Sequence, residues 1–383
     1  ATPDIEGYCH VVKEDLESPR LLYVGTEFGL FISLDGGLSW KRFANNLPKV
    51  AVRDLAIHPR DKALVIATHG RGIYIIDDLT PLRAITPDIL DQTLAFLPTK
   101  PTYIRLPRQG RPFGGAGNFN GENPSEAVQI AYFMKRRHTF GRMRLEVYDA
   151  EGNFVNEFSA GKSAGINIVE LPTRLPQPKA APTNNRMALF GSAFPPSLPE
   201  GRYTVKIIKG KEEFSTEVEI GLEPKARETY PKADRDLAHK TLMRLYDMTE
   251  RLGYVYFSLE AMHQQAEERA ASVQAPLAEE LKAFADETKS YKEGLVSLEG
   301  DFYVDEGENL REEISTLYLW ISNYPGRPTD GQLRKTDLLE QRLGKVEQRF
   351  EDYRKTMERL NEQLQSAGLQ PIAIKSFEAY RAD

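Results

Sequence analysis

At 383 residues the chain has room for two or three domains of roughly 100–200 residues each. Hydrophobic residues at 40% and charged residues at 28% mark it as globular and exclude a collagen-like or disordered chain. A net charge of −6 argues against a general nucleic-acid binder, which needs a basic face to neutralise phosphates. No apolar run approaches the roughly 20 residues of a membrane span. The single cysteine, Cys9, excludes an intrachain disulfide framework and fits either a cytosolic protein or a large exported one. The opening Ala1-Thr2-Pro3-Asp4 has neither the charged nor the apolar region of a signal peptide, and the reading below expects further chain ahead of it.

Residues 1–85 read as short strands joined by turns, and they contain a repeat. Leu22-Tyr23-Val24-Gly25-Thr26 is echoed by Val65-Ile66-Ala67-Thr68, and Gly29-Leu30-Phe31-Ile32 by Gly72-Ile73-Tyr74-Ile75. The threonines are offset by 42 and the glycines by 43. A period of roughly 40–45 residues with several strands per unit is that of β-propeller blades; two unrelated hairpins are the alternative. Within the first unit, Ser33-Leu34-Asp35-Gly36-Gly37-Leu38-Ser39-Trp40 has the form S-x-D-x-G-x-x-W. Asp35 is expected to accept hydrogen bonds from backbone N–H groups of the turn, as Asx turns do. Gly37 is expected to supply a positive φ and Trp40 to pack between blades. An aspartate whose lone pairs are taken by a turn is a poor catalytic acid, so Ser33, Asp35, Gly37 and Trp40 read as structural.

This stretch from Tyr23 to Asp78 resembles the final blades of bacterial sortilin-like, Asp-box (bacterial neuraminidase repeat) propeller proteins. The resemblance rests on Gly25-Thr26-Glu27-Phe28-Gly29-Leu30-Phe31, the Asp-box, Val52-Arg53-Asp54-Leu55-Ala56-Ile57-His58-Pro59-Arg60 and Thr68-His69-Gly70-Arg71-Gly72-Ile73-Tyr74-Ile75-Ile76-Asp77-Asp78. Such proteins are often labelled glycosyl hydrolases because xyloglucanases and sialidases share the box, which is a fold element rather than a site. The resemblance implies an exported bacterial protein: periplasmic, cell-surface or secreted. Fewer than two blades cannot close a ring, so the rest of the same polypeptide or a partner subunit is expected to complete it. Leu79-Thr80-Pro81 breaks the run where the second unit's outer strand would come, a place another segment could fill.

Residues 86–125, rich in Pro and Gly, read as a linker. Its Gly114-Gly115-Ala116-Gly117-Asn118 run lacks the following helix that a phosphate cradle needs. Residues 126–222 return to alternation and read as an Ig-like β-sandwich. Strands are expected at 127–134, 143–148 and 154–158, with a final hairpin over 198–207 and 214–220. Ala164-Gly165-Ile166-Asn167 and Gly201-Arg202-Tyr203 resemble the Ig-like module of flagellar hook-capping proteins. The aromatic–Asp pair usual after that Asn is replaced by Ile168-Val169-Glu170-Leu171.

Residues 229–370 read as an antiparallel, up-down four-helix bundle. The apolar steps run Leu242, Leu245, Met248, Leu252, Val255, Leu259, Met262; then Leu277, Leu281, Phe284, Thr288, Tyr291, Leu295; then Leu310, Ile314, Leu317, Ile321. The last, Leu339 to Leu364, alternates steps of four and three throughout, which predicts left-handed supercoiling. Breakers fall at Gln274-Ala275-Pro276, Gly300 and residues 325–331, with Pro276 at the first helical position. A di-metal centre would need paired Glu-x-x-His motifs, and only Glu260…His263 matches, so no metal and no cofactor is expected. Tyr318, Trp320 and Tyr324 beside the Pro325–Pro328 loop form a candidate docking patch.

No nucleophile–base–orienter set, G-x-S-x-G, H-E-x-x-H or Walker sequence occurs. The leading reading is therefore a non-catalytic binding or scaffold portion that recognises polypeptide or glycan. In the alternative, a propeller glycoside hydrolase, Glu27, Asp54, Asp77 or Asp78 contributes one of two carboxylates. A third has an extended peptide held by edge-strand addition, as the sortilin likeness implies.

Overall fold

The structure is a computed structural model that describes residues 4–104, 125–185, 188–189, 195–298 and 309–382. The glycine run at 114–118 and the breaker at Gly300 lie outside the described residues. The chain is mixed β and α, with several antiparallel sheets and a C-terminal helical region.

Each half of the early repeat folds as an antiparallel sheet. Strands β1 (Cys9–Glu14), β2 (Leu22–Thr26), β3 (Gly29–Ser33) and β4 (Lys41–Phe43) pair in sequence order. The second sheet is β5 (Val52–His58), β6 (Ala63–Thr68) and β7 (Ile73–Ile76). The echoed Thr and Gly residues have the same job in both. The Thr26 hydroxyl donates to the Gly29 carbonyl at 3.4 Å, and the Thr68 hydroxyl to the Gly72 carbonyl at 2.6 Å, closing the equivalent hairpins. Tyr23, Leu30 and Ile32 of the first sheet share one apolar core with Leu55, Leu64 and Ile66 of the second. Where a fourth strand would follow β7, the chain turns into two short helices, α1 (Thr80–Arg83) and α2 (Pro87–Asp91).

Residues 86–104, read as the front of a linker, are partly sheet. Strand β8 (Leu94–Leu97) pairs with β10 (Val128–Met134), and β9 (Thr102–Ile104) with the long strand β15 (Glu212–Leu222). Their alternation is too short to stand out among the prolines. The remaining strands are β11 (Met143–Tyr148), β12 (Phe154–Ser159), β13 (Gly165–Leu171) and β14 (Gly201–Lys209). The sheet orders are β13-β10-β8 and β12-β11-β14-β15-β9. Alternate residues are buried along each central strand: Ile130, Tyr132 and Met134 in one sheet, and Leu145, Val147, Val205 and Ile207 in the other. Residues 165–171, noted for a motif, are strand throughout.

These strands form one compact unit. A second unit comprises the helices after β15 and, contrary to the reading of 126–222 as one sandwich, the described residues of 174–199. Its elements are α3 (Pro224–Thr229), α4 (Lys232–Ala270), α5 (Leu277–Glu293), α6 (Leu310–Ser322), α7 (Asp330–Ser366) and α8 (Phe377–Ala382). Pro276 is the cap of α5 rather than its first residue. Thr329 and Gln332 form a reciprocal capping box that starts α7 just after the proline loop. All eight positions of the final apolar series, from Leu339 to Leu364, are buried. Leu242, Leu277, Tyr291 and Leu317 are only partly buried at the margins of the same core. Charged clamps lie outside it: Arg251 of α4 binds Glu347 and Glu340 of α7 at 2.6–2.7 Å, and Glu313 of α6 pairs with Lys335 and Arg342.

Segment 176–185 lies on these helices through its backbone. Ala181 O accepts from the buried Arg311 at 2.9 Å, and Thr183 donates to the buried Glu312 at 2.6 Å. Lys179 O accepts from Tyr380 of α8 at 2.7 Å and presses on α4 at Gly253. A Cβ at 253 would lie 2.1 Å from that carbonyl oxygen. Alanine is intrinsically the better helix former by about 1 kcal/mol, so the sign of Gly253→Ala discriminates. Overpacking against fixed backbone should win, lowering stability by about 1–3 kcal/mol in urea denaturation. An unchanged or raised midpoint would contradict the close approach.

Candidate functional site

The Asp-box turn between β3 and β4 is a closed hydrogen-bond system. Asp35 Oδ1 accepts from the Ser33 hydroxyl at 2.7 Å and from the Ser39 N–H at 2.9 Å, and Oδ2 accepts from the Ser39 hydroxyl at 2.6 Å. Ser33 Oγ in turn accepts from the Gly37 N–H at 2.8 Å. Gly36 and Gly37 both adopt positive φ, 76° and 94°, so the turn needs two glycines where one was anticipated. The hydrogen bonds from Ser39, with those from Ser33 and Leu38, hold the Asp35 carboxyl down at about 2. The Trp40 indole N–H donates to Gly37 O at 3.1 Å. Its ring lies on Val24 and Phe31 of its own sheet, a cluster separate from the core between the two sheets. Because β2 and β3 alternate, Trp40 covers the face of the first sheet that points away from the second sheet.

The four candidate carboxylates divide into two pairs. Glu27 lies in the β2–β3 turn and Asp54 near the start of β5, opposite Ala67. These ends adjoin, because a Cβ at Gly25 would meet Val52 and because Arg53 contacts His10 at 3.4 Å. Asp77 and Asp78 follow β7, beyond the Leu64–Ile76 pairing at the opposite end of the sheet. At about 3.3 Å per residue, a strand of four to six residues sets the pairs roughly 13–20 Å apart, whereas glycosidase carboxylates stand about 5–9.5 Å apart. Nor is Asp78 free. Its Oδ1 accepts from the Thr80 N–H at 2.9 Å and its Oδ2 from the Lys100 N–H at 2.8 Å, tying α1 to the strand that follows. Asp54 Oδ1 accepts from the Leu55 N–H at 2.8 Å.

One buried charged site escaped the sequence. Asp15, in the β1–β2 loop, accepts from the Glu17 and Ser18 N–H groups at 3.0 and 2.9 Å and receives a bidentate pair from Arg83 of α1 at 2.9 Å. Arg83 also pairs with Glu17 at 2.9 Å. Burial pushes the neighbouring Tyr23 phenol up, and its hydroxyl has no hydrogen-bond partner among the described residues. Removing one partner of such a pair costs about 3–5 kcal/mol. The pair fastens the first sheet to the helix that ends the second, so its role is structural. Sixty-eight residues separate the partners, and no local pattern announces them.

In the helical unit, the docking patch divides as well. Tyr318 is 5% exposed and belongs to the core, with its phenol pushed up by burial. Trp320 and Tyr324 are 62% and 56% exposed, and Tyr324 meets Tyr230 edge-on at 5.8 Å. Glu260 pairs with Lys292, and His263 Nδ1 lies 3.1 Å from Ala285 O. Among the described residues no three His, Cys, Asp or Glu side chains converge as metal ligands do, and no helix is long and apolar enough to cross a membrane.

No family model and no curated protein matches the chain. Among solved structures, the extracellular domain of the one-component system BT4673 of B. thetaiotaomicron is similar at 12% identity, over 56% of this chain and 25% of that one, with a TM-score of 0.15. A second, the extracellular domain of the hybrid two-component system BT4673, matches at 12% over 58% and 26%, with a TM-score of 0.16. The chain thus spans about a quarter of the length of these structures, a likeness that identifies neither fold nor family.

The Asp-box turn makes a pH-dependent prediction. An aspartate near 3.9 when unfolded and about 2 when folded stabilises the fold fully above the first value. That contribution is lost as pH falls through the second. The melting-temperature gap between the native chain and Asp35→Asn should therefore be constant near neutrality and shrink below about pH 4. A gap that holds its size in acid would show that Asp35 is not stabilised as a carboxylate.

Proposed function

We propose that the first two sheets are the closing blades of a bacterial Asp-box, sortilin-like propeller. In this reading the next strands form an Ig-like sandwich and the helices an up-down four-helix bundle. The whole is then a non-catalytic binding or scaffold portion of a large exported protein that recognises polypeptide or glycan. One observation carries this: two sheets in tandem repeat, of which the second is open. Strand β7 has no neighbour beyond β6 among the described residues, and Ile73 and Ile75 on its outer face are 69% and 55% exposed. Ala56, Val65 and Ala67 share that face by register. An unpaired edge beside apolar surface is what radial closure by the same polypeptide or a partner subunit would cover. The edge also fits an extended peptide added as a strand.

In the hydrolase alternative Asp78 is the poorest of the four candidates, because hydrogen bonds from Thr80 and Lys100 occupy its two oxygens. The two readings separate when the full chain is applied to peptide and glycan arrays while sugar release from the same glycans is followed. Binding without release is expected. Release that disappears in Glu27→Gln or Asp54→Asn would replace this reading with a glycosidase.

A further inference from the structure

The chain carries a net charge of −6, yet residues 135–144 hold five cations and no carboxylate. This run, Lys135-Arg136-Arg137-His138-Thr139-Phe140-Gly141-Arg142-Met143-Arg144, is the loop from β10 into β11 with the first two residues of β11. Phe140 is 86% exposed, the highest value for any large apolar side chain among the described residues. Lys135 is held by Asp91 at 3.0 Å and Arg144 by Glu146 at 2.6 Å. Arg136, Arg137 and Arg142 are exposed and have no carboxylate partner among the described residues. The loop is pinned from beneath: the His138 N–H donates to Lys162 O at 2.9 Å, and Lys162 Nζ donates to Gly141 O at 2.7 Å. Register brings Lys162 and Lys211 to the same end, where Glu212 is already paired with Lys209 and Glu213 with Lys206. Met134 pairs with Gly165, which sets the Lys162 loop alongside, and Met143 pairs with Lys209, which sets Lys211 of the β14–β15 turn nearby.

We propose that this loop is a peripheral contact with a bilayer surface carrying anionic lipid headgroups. An exposed phenylalanine at the tip of a loop gains by entering the acyl boundary, while arginines behind it stay at headgroup depth. A lone Phe offers no hydrogen bond to a sugar and no second platform for stacked bases. The loop also lacks the amide and carboxylate groups that read glycan hydroxyls. Because the loop is already held in place, little ordering entropy opposes the contact. The proposal is independent of whether the chain is a binding protein or an enzyme.

Flotation of the full chain with vesicles of equal parts phosphatidylglycerol and phosphatidylcholine tests it, beside vesicles of phosphatidylcholine alone. Binding only to the anionic vesicles, weakening as salt rises, is expected. Arg136→Ala/Arg137→Ala/Arg142→Ala should weaken it by on the order of a hundredfold, at roughly fivefold per arginine. Phe140→Ser should weaken it by about tenfold. All positions are exposed, and matched melting curves would confirm intact folds. Equal flotation with both vesicle types, or variants that bind like the native chain, would overturn the proposal. So would retention on heparin or single-stranded DNA without flotation, which would make the loop a reader of soluble polyanions.

Discussion

Satisfying both faces and both edges of a β-sheet is the constraint on which the rest of the first unit depends. The first sheet meets it on both faces, with Tyr23, Leu30 and Ile32 packed against the second sheet and Val24 and Phe31 covered by Trp40. The second sheet meets it on one face only. Among the described residues, its other face presents Ile73 and Ile75 to solvent, and its edge strand β7 has spare backbone groups. Apolar residues on an open edge promote association.

Three aspartates of this unit are consumed by structure. Asp35 is enclosed by serine hydroxyls and turn amides, Asp78 caps a helix and anchors Lys100, and Asp15 is locked to Arg83. Asp35, whose lone pairs are occupied and whose affinity for protons is lowered, is a poor general acid. The helical unit behaves likewise. Arg251, Glu313 and Lys292 join one helix to another, while Arg311 and Glu312 hold an irregular segment on the helices. Among the described residues, the open sheet face, Trp320 and the basic loop at Phe140 are exposed surface.

The sequence was legible where a period is enforced by burial. The four-and-three stepping from Leu339 to Leu364 predicted a helix in which every position of that series is buried. The Thr–Gly echo marked two hairpins closed by the same hydrogen bond. Contacts made across long separations were not legible. Arg83 and Asp15, or Lys179 and Gly253, have no local signature because each depends on how distant backbone is delivered. Short strands among prolines, such as β8 and β9, offer too few alternations to be told from loop. Tyr318 was misjudged as surface because a helix alternates buried and exposed aromatics over a single turn, and only packing decides which of Tyr318 and Trp320 faces inward. The basic run at 135–144 was fully visible as sequence, but only its exposure gives it meaning.

The central claim, that the second sheet is open, is tested most directly by native-state hydrogen exchange on the full chain. Amides of β3, paired on both sides, should be strongly protected, whereas the amides of β7 that point away from β6 should exchange close to the rate of unstructured chain. Protection across Ile73–Ile76 equal to that of β3 would mean the edge is already covered, and the account of an unfinished propeller would fail.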